Sequence, residues 1–176
     1  MIIQSIKTSK LSKNKIKQIL ILKDSIWNFG IKSQRKWFND NVKDKDVHNI
    51  LFIKNKVVGY TLLAKRHFIQ YKNKKPINKK NYILFSTLIL KKKYRNFLNA
   101  SQLMRFNNKY ILSKKRPAFL LCHKNKLNFY KLFGWSSLRK KSFSTRDHKH
   151  SLEAMIYNFK LFKKNDQNFY NFYYHR

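Results

Sequence analysis

Two long apolar runs, YILFSTLIL at Tyr82–Leu90 and PAFLLCH at Pro117–His123, flank the helix-patterned segment LNASQLMRFNNKYILSKK. This arrangement constrains the fold more than any other feature. Strands that read as near-continuous apolar runs are buried on both faces, as parallel strands are. A strand, helix, strand sequence of this length predicts a right-handed crossover joining two parallel neighbours. The preceding segments read differently. IIQSIKT (Ile2–Thr8) alternates as a strand, and SKNKIKQILILKDSIW carries Ile16, Ile19, Leu20, Lys23 and Trp27 at helical spacing, with Ser12 as N-cap. A second short helix is expected over Ser33–Val42. HNILFIKNKVVGYTLLAKRHF reads as a hairpin folded over Lys54, Asn55 and Lys56, and NKKPINKKN as a solvated loop. After the second apolar run, KLNFYKLFGW predicts a short helix closed by Gly134, with further strands in SSLRKKSF and EAMIYNFKLF. The expectation is an α/β fold in three layers, its mixed sheet antiparallel first and parallel at the centre. One domain is expected over 1–162, followed by an aromatic-rich tail over 163–176.

Composition limits what such a domain can do. With 41 basic residues against seven acidic, the formal charge is +34, a field that draws nucleic acid, anionic lipid or phosphorylated ligands. Lysine outnumbers arginine about four to one, and Lys, Asn, Ile, Phe and Tyr are abundant throughout, the bias expected of an AT-rich genome. That bias leaves unexplained a lone glutamate, Glu153. An apolar content of 43% argues against disorder. No apolar run reaches transmembrane length, and the order of charge and apolar residues in MIIQSIKTSK is the reverse of a signal peptide's, so a cytoplasmic protein is expected. Cys122 lies in an apolar run as an inert thiol. The histidines of HKH (His148, His150) lack companions for a metal site, and no metal is expected.

Three blocks in chain order carry a resemblance to the GNAT superfamily of acyl-CoA-dependent N-acyltransferases. VVGY (Val57–Tyr60) is similar to the family's second and third strands. LILKKKYRNFLNASQLM resembles its CoA signature, with Arg95 at the leading basic position, Leu98 where a glycine is usual and Ala100 at the closing position. LLCHKNKLNFYKLFGW resembles the fifth strand and the helix after it. The match spans roughly Asn49–Trp135. What it implies is a splayed GNAT-like sheet and acetyl-CoA or another acyl-CoA as co-substrate. The backbone N–H groups of Leu88, Ile89 and Leu90 would hold the thioester carbonyl, and Asn128 or Asn125 would contact the CoA arm.

The diphosphate would meet the first turn of the following helix, where unpaired N–H groups and the helix dipole attract anions. The N–H groups of Leu98, Asn99, Ala100 and Ser101 are expected to serve, with Lys91, Lys92, Lys93 and Arg95 adding charge. Leu98 brings a branched side chain to a place where glycine would let phosphate approach. The resemblance also implies an acid for the leaving thiolate in a tyrosine early in the helix after the fifth strand, here Tyr130; a phenol can serve, its pKa being close to that of a thiol. The run YILFSTLIL holds no carboxylate, so a base is sought in DVHNI, where Asp46 and His48 stand two apart; His67 is a further candidate. The expected activity moves an acyl group to an amine on a small molecule such as an amino sugar, an anionic one suiting the charge. The competing readings are a basic nucleic-acid-binding protein and a degenerate CoA-binding module on the same scaffold.

Overall fold

The computed structural model describes residues 1–145, 151–158 and 168–173. Among these, four helices flank a nine-stranded mixed sheet, so the α/β class expected from the sequence is the one observed. The strands are β1 (Ile2–Lys7), β2 (Val47–Ile53), β3 (Lys56–Lys72), β4 (Lys75–Leu90), β5 (Ala118–Cys122), β6 (Ser136–Leu138), β7 (Phe143–Thr145), β8 (Glu153–Tyr157) and β9 (Asn168–Phe172). The helices are α1 (Lys13–Asp24), α2 (Ile31–Asn41), α3 (Phe97–Ser113) and α4 (Leu127–Lys131). The main strand order is β1-β2-β3-β4-β5-β8-β6, with β9 pairing both β3 and β7. β4 and β5 are parallel, Ile83 and Leu84 facing Ala118 and Phe119, as the crossover required. Among the described residues no helix is long and apolar enough to cross a membrane.

By contacts the chain forms two compact units, Met1–Ala64 with Phe85–Asn108, and Lys65–Leu84 with Lys109–Arg176. In the first, Ser12 caps α1 by accepting from the Lys15 N–H at 3.3 Å. β2 turns into β3 through Lys54 and Asn55, both at positive φ (47° and 61°), the two-residue turn whose twist matches a hairpin. Leu51 pairs with Gly59 but Phe52 with Val57, which leaves Val58 as an extra residue on β3. This bulge frees the Val58 carbonyl to accept from the Lys91 N–H at 2.8 Å, tying the residue after β4 to β3. Leu51, Val58, Leu90 and Leu103 form the core beneath it.

Gly59 is glycine because of that packing. A Cβ there would lie 2.7 Å from Leu90 Cδ2 and 3.0 Å from Leu51 Cβ. Gly59→Ala is therefore expected to lower the unfolding free energy by about 1–3 kcal/mol, read as a lower urea midpoint at unchanged m-value. An unchanged midpoint would show that the core yields freely at this point.

In the second unit the core is aromatic. Phe172 of β9 stacks on Phe119 with ring centres 4.0 Å apart and meets Tyr82 and Phe68 at 5.1 and 5.4 Å. The segment 168–172 of the aromatic tail is thus a core strand, alternating buried and half-buried positions. Two local expectations are corrected. NKKPINKKN is not a loop: β3 and β4 continue as an exposed ribbon and turn through Asn73 and Lys74, at φ 50° and 62°. SSLRKKSF is not one strand but β6 and β7 separated by a 3-10 turn at Lys140–Ser142. The expected strand EAMIYNFKLF is observed as β8; its continuation past Asn158, together with Asp147, His148 and His150, lies outside the described residues.

Candidate active site

Apart from Asn128 and Asn125, the residues expected to bind acyl-CoA belong to the first unit, on the end of β4, the turn after it and the start of α3. Leu88 is half-buried, while Ile89 and Leu90 are buried in the strand. The residue before them breaks the strand geometry. Thr87 has φ 66°, a left-handed conformation that β-branched residues rarely adopt and that costs on the order of 1–3 kcal/mol. Its hydroxyl lies 3.2 Å from that of Ser86. A left-handed residue inside a strand reverses the alternation and re-aims the peptide groups that follow, here those of Leu88–Leu90. Thr87 was not among the sequence candidates. In sequence it is an ordinary β-former, so no local signal could have marked it.

The turn between β4 and α3 is held by its own backbone. The Tyr94 N–H donates to Lys91 O at 2.8 Å and the Arg95 N–H to Lys92 O at 3.2 Å, making the 3-10 turn Lys92–Tyr94. Asn99 is buried, and its Nδ2 donates to Tyr94 O at 2.8 Å. Helix α3 then starts from a residue the sequence reading passed over. Asn96 Oδ1 accepts from the Asn99 N–H at 2.9 Å, and Asn96 O accepts from the Ala100 N–H at 3.2 Å. Asn96 is therefore the N-cap, a role asparagine fills well. This corrects the expectation of four open amides. The N–H groups of Asn99 and Ala100 are taken within the helix start, and Ser101, four residues after Phe97, lies within the first full turn. Among the described residues the Leu98 N–H enters none of these bonds.

Leu98 does not block this turn by packing into it. Its side chain is 64% exposed, as is that of Phe97 beside it (63%). Half-buried Ala100 packs against the Leu51 core, and Ser101 Oγ, turned back on its own helix, donates to Phe97 O at 2.7 Å. Lys91, Lys92, Lys93 and Arg95 are exposed, so the turn carries four cations facing solvent.

Tyr130 and Asn128 belong to the second unit, on α4. Asn128 and Asn125 are exposed. Tyr130 is half-buried, with ring contacts to Phe129 at 5.3 Å and Trp135 at 6.2 Å. Gly134 stops the helix at φ 79°, its N–H donating to Lys131 O, while the Trp135 N–H reaches back to Tyr130 O at 3.3 Å. Trp135 is buried and stacks on Tyr157. The FYKLFGW signature is thus a short helix pinned at its far end, with Tyr130 on its last turn.

His48, the expected base, is fully buried in the first unit. Its Nδ1 lies 2.8 Å from the Tyr60 hydroxyl and its Nε2 2.9 Å from Thr8 Oγ1, with Phe38 and Tyr60 stacked near the ring at 5.7 Å each. Burial, reinforced by the nearby Lys23 cation, lowers its pKa to about 3, so the imidazole is neutral at physiological pH. Both ring nitrogens being engaged, His48 departs from the expectation of a substrate-facing base. Its neighbour Asp46 is also buried and accepts from the Lys43 N–H through Oδ2 at 2.9 Å. His67 stacks on Tyr173 at 4.2 Å in the second unit. Cys122 is buried, its thiol pushed up to about 11 by desolvation and then Glu153, which suits the inert role read from the sequence. Among the described residues no cluster of three His, Cys, Asp or Glu could hold a metal.

No protein-family model and no curated protein matches the chain. Solved structures do. ElaA of Escherichia coli superposes with a TM-score of 0.63 at 15% identity, over 88% of this chain and 97% of that one. An acyl-CoA N-acyltransferase from Pseudomonas aeruginosa gives 0.65 at 12% identity, over 89% and 99%. An aminoglycoside 6'-N-acetyltransferase complexed with coenzyme A gives 0.60 at 11% identity, over 89% and 96%. At such identities the likeness establishes the fold.

Proposed function

We propose, for a chain whose fold is that of the GNAT N-acyltransferases, that it transfers an acyl group from acyl-CoA to a small-molecule amine. The observation that carries this reading is the left-handed Thr87. The strain at this residue re-aims the peptide groups of Leu88–Leu90 just before a tetracationic turn and a helix start. A thioester carbonyl needs backbone donors, and a diphosphate needs cations with helix amides; here one stretch of chain supplies both in order. On this reading Leu88, Ile89 and Leu90 hold the acyl carbonyl. The Leu98 N–H, Arg95 and Lys91–Lys93 hold the phosphates, with Asn99, Ala100 and Ser101 building the turn.

The reaction is direct attack. The amine nitrogen adds to the thioester carbon, the C–S bond breaks, and the Tyr130 hydroxyl gives its proton to the leaving thiolate. Because His48 has both nitrogens engaged, the proton of the substrate ammonium passes to water. As the amide forms the nitrogen sheds its second proton, and the Tyr130 phenolate takes one up through solvent, so that the net release is the single proton of the ammonium. The charge selects the acceptor: at +34 a polycation is repelled, whereas an amine that also bears phosphate or carboxylate is drawn in.

Thermal denaturation with acetyl-CoA is the direct test. At one hundred times Kd the ligand is expected to add about 2.7 kcal/mol, a rise of roughly 5–10 °C for a domain of this size. Tripolyphosphate at equal concentration is the control for charge alone. A shift no larger with acetyl-CoA than with tripolyphosphate rejects the assignment.

A further inference from the structure

In the second unit, β4 begins with seven consecutive exposed residues, KPINKKN, so this half of the ribbon buries neither face. A strand of this kind adds nothing to the core, yet it carries Lys75, Lys79 and Lys80, with Lys74 in the turn and Lys72 across it also exposed. In the sequence no acidic residue stands between Asp46 and Asp147, so the ribbon has no anion of its own. Beside it β9 pairs antiparallel with β3, Tyr71 facing Phe169 and Ile69 facing Asn171. The rings of Tyr71 and Phe169 meet edge to face, 6.4 Å apart at 68°. They line a cavity of about 560 Å³ with Asn73, Lys74 and Asn171. Asn171 is held in place there, its Oδ1 accepting from Ser144 Oγ at 3.1 Å.

From this geometry we infer that the cavity is a nucleobase subsite, and that the lysine ribbon leading from it binds the phosphates of a single-stranded nucleic acid. The cavity lies within the size range of pockets that take small planar ligands. Aromatic side chains give a base a face to stack on whatever its identity, and asparagine amides pair with its edges. Five exposed lysines on the ribbon supply positive charge for a phosphate backbone, to which lysine binds as a point charge. An acidic peptide would use the lysines and leave the aromatic cavity empty. A duplex keeps its bases stacked and offers the cavity nothing. The described lining residues all belong to the second unit, whereas the strand end and helix start read as the acyl-CoA site belong to the first.

The test is fluorescence anisotropy of the full chain with labelled 12-nucleotide oligo(U), oligo(dT) and a mixed-sequence duplex of equal length, across a salt series. Both single strands are expected to bind more tightly than the duplex. The pair Tyr71→Leu and Phe169→Leu preserves charge and apolar volume but removes both rings. It is expected to weaken single-strand binding roughly 5- to 100-fold, the scale of one lost stacking contact, and to leave the salt slope unchanged. Tyr71→Trp is expected to retain binding. Lys74→Gln with Lys75→Gln should make the slope shallower by about 1.4, at about 0.7 per phosphate contact. Circular dichroism and the acetyl-CoA shift, measured on the same preparations, check folding and decide the acyltransferase reading separately. Equal binding of single strand and duplex, or single-strand binding that ignores loss of both rings, would show attraction by net charge alone and overturn the inference.

Discussion

Acidification from pH 6.5 to 4 is expected to lower the unfolding free energy by about 3 kcal/mol through His48 alone. The sign follows from its depressed pKa, about 3 in the fold against 6.5 as an ordinary histidine. Between those values the unfolded chain takes up a proton that the folded chain refuses. The contribution is therefore fully present above pH 6.5 and is lost as pH falls toward 3, at about 1.4 kcal/mol per pH unit. The refusal is structural: protonation would place a cation, fully buried, beside the Lys23 cation, with Phe38 and Tyr60 rings around it. Lys23 shifts in a different window. Burial lowers its pKa to about 8, and its ammonium lies 3.5 Å from the centre of the Trp37 ring, so it too makes the fold gain stability as pH rises, between about 8 and 10.5. Urea unfolding of the parent and of His48→Gln at pH 8, 6, 5 and 4 separates the histidine from the other titrating groups. The variant is expected to lose most of the slope below pH 6.5. Parallel curves for the two proteins would assign acid sensitivity elsewhere.

Tyr130→Phe is expected to lower kcat by about 10²- to 10⁴-fold, the usual contribution of a positioned proton donor, with KM for acyl-CoA little changed. The substitution keeps the ring contacts with Phe129 and Trp135 and removes only the hydroxyl, so a melt of the same preparation reports what that hydroxyl does for the fold. Steady-state kinetics beside a thermal melt make the distinction: unaltered melting with collapsed turnover supports an acid, whereas turnover within about threefold of the parent removes Tyr130 from the reaction. A further arm uses an acyl donor whose thiol leaving group is more acidic. Such a thiolate needs no proton to depart, so the variant should recover part of its rate.

How much of this was legible in sequence depended on how local the cause was. The crossover helix between two apolar runs, the Ser12 cap, the turn at Lys54 and Asn55 and the stop at Gly134 were each written in a few adjacent residues. The ribbon at NKKPINKKN was misread because strand signals rest on alternation against a core, and this strand has no core on either side. The tail was unassigned for a related reason. Asn168 and Asn171 interrupt its aromatic pattern, yet Phe172 packs against Phe119 from a distant part of the chain. In the candidate site, the cations of the turn could be counted in advance. Which amides were spent could not, because that hinges on whether Asn96 turns its side chain into the helix start.

The amino-acid sequence by itself determined the order of elements, the parallel pair at the sheet's centre and the positive field, since these follow from periodicity, chain length and charge. Only the tertiary structure decided that Thr87 is left-handed, that His48 is a neutral buried group and that Tyr71 and Phe169 share a cavity. The physical reason is common to all three. Each is imposed by contacts with residues outside the local stretch, and neither dihedral strain, desolvation nor cavity shape is a property of a residue's neighbours in sequence.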